Sequence, residues 1–138
     1  MSQNNESLIR RWFDEIWNKR RTQGIDELLA PEGIAHLEGA EIVGPAQFHQ
    51  YHVELVTAFP DFRITVDEVI SQGDAAAVRW TVDATHKGAG LGLEPSGQVV
   101  RFRGMTWVHI RDGKIIEGWD SWNMEALVQQ LKSAAINK

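Results

Sequence analysis

Apolar side chains recur at helical spacing over residues 4–20, where Leu8, Ile9, Trp12, Phe13, Ile16 and Trp17 return to one face every turn. This pattern predicts an amphipathic helix. Gly24 interrupts it, residues 25–29 make a short second helix, and Pro31 ends that helix because proline cannot extend the hydrogen-bond ladder. Residues 34–38, Ile-Ala-His-Leu-Glu, read as a short strand. Gly44-Pro45 opens a third helix with proline in its first turn. Its stripe is Phe48, Tyr51, His52, Leu55, Val56 and Phe59, and Pro60 terminates it.

From Phe62 the period changes from helical to two. Turn signals at Gln72-Gly73-Asp74, at the glycine-rich segment 88–97 and at Asp112-Gly113 divide the remainder into four extended runs, 62–71, 75–86, 98–111 and 114–122. These form an antiparallel meander, and the two middle runs are long enough to require bending, which bulges or Gly104 supply. Residues 124–133 close the chain as a short helix. Helices first and a long sheet afterwards predict an α+β fold, a single domain over residues 1–138. Its curved antiparallel sheet wraps the N-terminal helices into a cone with a central pocket.

Composition narrows the functions open to such a cone. No apolar run approaches a membrane span, and residues 1–6 lack the basic start and apolar stretch of an export signal, so a soluble, cytoplasmic protein is expected. Cysteine is absent, which removes disulfides, thiolate metal sites and a cysteine nucleophile. The net charge of -5 and the scattered Lys and Arg argue against nucleic acid. No histidine pair has a metal-ligand spacing, and the 88–97 loop lacks the Lys-Ser or Lys-Thr of a phosphate cradle.

The most informative segment is 113–123, Gly-Lys-Ile-Ile-Glu-Gly-Trp-Asp-Ser-Trp-Asn. Aspartate is disfavoured inside strands, so Asp120 needs a reason. Alternation puts Ile116, Gly118, Asp120 and Trp122 on one face, with open space beside Asp120 at Gly118. Facing inward, this carboxyl group would be desolvated and poised as a general base. Facing outward, it would pair with Arg101 or Arg103, and the pattern weighs the two readings equally. His52 lies on the third helix's apolar stripe, His36 shares a strand face with Ile34, and His86 follows Trp80 and Val82 by alternation. Each is more commonly a hydrogen-bonded core or rim residue than a catalyst. Of the tryptophans, Trp12 and Trp17 read as core, Trp80 and Trp122 as pocket wall.

Ala58-Phe59-Pro60-Asp61-Phe62, residues 77–81 with 85–88, residues 100–104, then residues 112–115 with Trp119-Asp120 occur together in an order that resembles the SnoaL-like polyketide cyclase (ester cyclase) family, within the nuclear transport factor two-like superfamily. The resemblance covers nearly the whole chain. It implies a cystatin-like cone, no metal or organic cofactor, and a homodimer or higher homo-oligomer. It also implies that an aspartate in the last strand serves as acid/base for aldol ring closure; the matching residue is Asp120, which favours the inward reading. Thr106 stands where such a cyclase carries histidine, and His52 where apolar or amide residues are usual, so Asp120 alone is carried over as catalytic.

The expected function is therefore a cofactor-independent acid/base enzyme acting on a small apolar or aromatic carbonyl compound, by cyclisation or isomerisation. His36, His52, Trp80, His86, Phe102, Thr106 and Trp122 are the expected substrate-binding residues. The alternatives are a non-catalytic binding module and a hydrolase or dehydratase in which a histidine works with Asp120.

Overall fold

A computed structural model describes residues 2–90 and 92–136. Helix α1 (Ser2–Arg11) runs directly into a π-helical segment (Trp12–Asn18), followed by α2 (Gln23–Leu28), β1 (Leu29–Leu37), β2 (Ala40–Val43) and α3 (Gly44–Ala58). Four long strands follow, β3 (Arg63–Gln72), β4 (Ala75–Thr85), β5 (Val99–Arg111) and β6 (Lys114–Ser121), and α4 (Met124–Ile136) ends the chain. The fold is α+β, with the N-terminal helices covering one face of a curved, open six-stranded sheet of order β2-β1-β6-β5-β4-β3.

The first amphipathic stretch is one continuous helical rod, but its second half is wider than an α-helix. The Lys19 amide reaches back five residues to the Asp14 carbonyl at 2.9 Å, and the Arg21 amide reaches six, to Glu15 at 2.8 Å. A π-segment leaves carbonyls without regular partners and so needs outside support. Asn18 supplies some by exchanging two hydrogen bonds with the Ile64 backbone at 2.8 and 2.9 Å, tying the segment to β3. The widened turn puts Trp12, Phe13, Ile16 and Trp17 together against the sheet, all buried.

Strands β3 to β6 form the expected meander, with turns at the glycine positions read from the sequence. The sheet also holds a strand arrangement the periodicity did not suggest: β1 lies parallel to β6. β1 starts five residues before the expected segment, and its register slips between Leu29 and Ile34, leaving Pro31 in an irregular stretch that needs no ladder donor. The chain just after β4 folds back onto the end of α3, where the Gly88 amide donates to the Ala58 carbonyl at 3.1 Å. A methyl group at Gly88 would lie 1.7 Å from the Thr57 carbonyl oxygen, so glycine is required for that close approach.

Candidate active site

Between the helices and the concave face of the sheet lies a cavity with about 70 Å³ in which the centre of a water molecule can sit. That is room for several waters or a small organic group. Helical side chains Trp12, Phe13, Trp17, Phe48, Tyr51 and Leu55 form one wall; the sheet contributes Trp80, Val82, Phe102, Thr106, Val108, Gly118 and Asp120, with Trp122 just beyond β6. The Phe102 and Trp122 rings stack at 4.9 Å and 20°, and Trp80 meets both edge-on at 6.4 Å. Trp12 and Trp17, read as core, are indeed buried but also face the cavity.

Asp120 points into this space, beside Gly118 as alternation suggested. Alternation fails two turns of the pleat earlier. A bulge between the His109 and Ile110 pairings inserts an extra residue in β6, so Ile115, not Ile116, shares the cavity face with Gly118 and Asp120. Arg101, one of the partners considered for an outward Asp120, instead pairs with Asp83 at 3.1 Å on the opposite face.

Among the described residues of the wall, the polar side chains are few: Tyr51, Thr106, Asp120 and the indoles of Trp12, Trp17, Trp80 and Trp122. Trp80 Nε1–H donates to Thr106 Oγ1 at 2.9 Å, and Thr106 Oγ1–H donates to Asp120 Oδ1 at 2.5 Å. Burial pushes the Asp120 carboxyl up to about 6 from 3.8, against the opposing effect of the Thr106 hydrogen bond. Desolvation wins because one neutral hydroxyl cannot replace the water lost by a carboxylate. Tyr51 is raised far above its ordinary value by burial and by the negative charge of Asp120, with a hydrogen bond to Trp122 working the other way. Tyr51 therefore stays protonated. A protonated phenol keeps an O–H that can donate.

Trp80, Phe102, Thr106 and Trp122 thus stand with Asp120 on the cavity wall. The three histidines expected beside them lie elsewhere. His36 is on the outer face of the sheet, 2.7 Å from Glu117 and 2.8 Å from Glu41 and stacked on Trp119 at 5.3 Å; the Glu117 hydrogen bond is the main reason its proton affinity is raised. β1 lies between β2 and β6 and pairs regularly there, with His36 opposite Glu41 and Trp119, so it is the neighbouring Ala35 and not His36 that lines the cavity. His52 is buried, and its Nε2–H donates to the Ile16 carbonyl at 2.8 Å, one of the carbonyls that the π-segment frees. His86 is fully buried at the end of β4, where its Nδ1 accepts from the Ser96 amide at 3.2 Å and its ring packs on Phe59. Each has a backbone or side-chain partner away from the cavity wall, although His52 Nδ1 and His86 Nε2 are buried without one.

Tyr51 is the cavity residue that the sequence reading placed on the helical stripe without giving it a role. A signal was available: it is the only tyrosine in the chain, and its hydroxyl on an otherwise apolar stripe had to find a polar partner. No group of three or more His, Asp or Glu residues that could hold a metal ion occurs among the described residues. None of the described helices is long and apolar enough to cross a membrane.

Comparison with known proteins gives the same architecture. A structure of a proposed SnoaL-like polyketide cyclase from Jannaschia sp. CCS1 superposes with a TM-score of 0.88 at 24% identity, over 95% of this chain and 93% of that one. AclR, a proposed hydroxylase from Streptomyces galilaeus, superposes with a TM-score of 0.84 at 29% identity, over 96% and 98%. A SnoaL-like polyketide cyclase from Agrobacterium tumefaciens strain C58 gives 0.74 at 19%, over 91% and 96%. No curated protein sequence matches. The sequence model of the SnoaL-like polyketide cyclases matches residues 7–131, nearly the full length, and the chain belongs to that family.

Proposed function

We propose that this protein catalyses cofactor-independent proton transfer at the carbon next to a carbonyl group of a small apolar or aromatic compound, leading to aldol ring closure or isomerisation. One observation carries the reading: a single carboxylate with a proton affinity near neutrality lines an otherwise apolar cavity, beside a phenol that stays protonated. Asp120 takes the α-proton, and the electron pair moves onto the carbonyl oxygen, where the Tyr51 O–H donates to the enolate. In ring closure the enolate carbon forms a bond to a second carbonyl, whose oxygen takes the proton held by Asp120 and so restores the carboxylate. In isomerisation Asp120 returns the proton to a different carbon. The Phe102–Trp122 stack offers an aromatic surface for a flat ligand to lie against, and Trp80 and Thr106 complete that end of the wall. A hydrolase using His36 or His52 gains no support, because neither lines the cavity. A plain binding module would have no use for a partly buried carboxylate held at a cost in an apolar wall.

The test uses α-tetralone in deuterium oxide. The wild type is expected to accelerate exchange of its α-protons over buffer, and Tyr51→Phe to lower that rate by about 10²-fold, the usual effect of losing one oxyanion donor. NMR signal loss at the α-carbon reads both. No acceleration by the wild type with α-tetralone or a 1,3-diketone would contradict the reading, and a wild-type rate in Tyr51→Phe would remove Tyr51 from it.

We also propose that two copies associate through the outer face of the sheet. Met105, Trp107 and Trp119 are 61%, 49% and 37% exposed there, a cluster of large apolar groups that water disfavours. The charged groups around it are already paired within the chain, Arg79 with Asp67 and Glu68, Arg101 with Asp83, and Glu41 and Glu117 with His36, so the apolar cluster and not charge drives the contact. Trp107→Glu is expected to give monomers in light scattering at micromolar concentration where the wild type gives dimers.

A further inference from the structure

Trp80 does more than form a wall. Its ring crosses β5 directly over Gly104, its strand-pair partner, on the way to Thr106. A methyl group at Gly104 would stand 2.5 Å from both Cζ2 and Cη2 of the indole, so the glycine is what lets the ring lie there. The outcome is a hydrogen-bond chain whose direction is dictated by chemistry. An indole N–H has no acceptor capacity, so Trp80 must be the donor to Thr106 Oγ1. That contact fills one side of the hydroxyl oxygen, and the Thr106 proton is aimed along the 2.5 Å contact to Asp120 Oδ1.

We propose that Trp80 is a positioning residue for Asp120, whose N–H, acting through Thr106, locks one carboxylate oxygen as a hydrogen-bond acceptor and leaves Oδ2 as the atom that carries the proton taken from substrate. This rests on the reading of Asp120 as the base. The chain favours the ionised carboxylate, and it works against the burial that raises the proton affinity of Asp120. It therefore keeps the base usable near neutrality inside an apolar wall. It also fixes the rotation of the carboxylate plane, so that Oδ2 meets the substrate from one side only.

The chain is tested without turnover, by following the carboxyl carbon of ¹³C-labelled aspartate at Asp120 through a pH titration. Thr106→Val is expected to raise the midpoint by about one unit, the usual worth of a hydrogen bond to a charged group. Replacing Trp80 with benzothienylalanine, which keeps the bicyclic shape but has no N–H, should raise it by roughly half a unit. Trp80→Phe serves as a second route if incorporation is poor. Combining either Trp80 change with Thr106→Val should shift the midpoint no further than Thr106→Val alone, because Trp80 acts only through that hydroxyl. An unchanged or lowered midpoint on loss of the N–H, or additive shifts in the double variant, would overturn the proposal. A normal set of shifts together with unimpaired proton exchange in Asp120→Asn would instead sink the assignment of Asp120 as the base and leave the chain standing.

Discussion

Asp120→Asn is expected to slow α-proton exchange of α-tetralone by about 10²–10⁴-fold, the range supplied by a positioned general base. The amide is nearly the same size and keeps an oxygen to accept from Thr106, so the aromatic wall and the cavity should be unchanged. The loss should therefore fall on turnover and spare binding of a flat ligand, which quenching of cavity tryptophan fluorescence would measure. What disappears is a lone pair that can hold a proton. Exchange at the wild-type rate in this variant would show that the base lies elsewhere.

The same substitution should stabilise the protein in neutral solution. Asp120 has a folded-state proton affinity near 6 against an ordinary 3.8. Below about pH 4 the carboxyl is protonated in both folded and unfolded chains and contributes no difference. Between about 4 and 6 the folded chain holds a proton that the unfolded chain has released, so stability falls as pH rises, and above 6 the full cost of burying the charge is present. A displacement of this size corresponds to at most on the order of 3 kcal/mol. Asparagine escapes that cost, although its NH₂ faces an apolar wall and gives part of the gain back. Thermal melts should thus show the variant several degrees more stable than the wild type at pH 8, with the gap closing towards pH 4. A gap independent of pH would mean that Asp120 is not desolvated. A base held at the expense of stability is the usual trade at a catalytic position.

The residues themselves show how far such a site can be read in advance. Helical stripes and strand alternation were legible because each element buries one face, and a period of two put Gly118, Asp120 and Trp122 on one face of the last strand, whereas the choice of the inward side came only from the family resemblance. The bulge that turns Ile115 inward was not legible, since nothing in Lys-Ile-Ile-Glu separates a regular pleat from one with an extra residue. The parallel pairing of β1 with β6 depends on a contact between residues more than eighty positions apart. The histidines misled for a related reason. A buried imidazole seeks a partner, and the ones found here were a π-segment carbonyl for one nitrogen of His52 and a loop amide for one nitrogen of His86. Neither the π-segment nor the loop conformation is written in local propensity. Tyr51 was overlooked because its ring fits the stripe so well that its hydroxyl drew no notice.

The dependence of the wild-type exchange rate on pH tests the central claim most directly. The rate with α-tetralone should rise with pH through a single ionisation near 6 and level off above it, and that inflection should vanish in Asp120→Asn. A profile that is flat from pH 5 to 8, or one whose inflection sits near 4 as for an ordinary exposed carboxylate, would contradict the account.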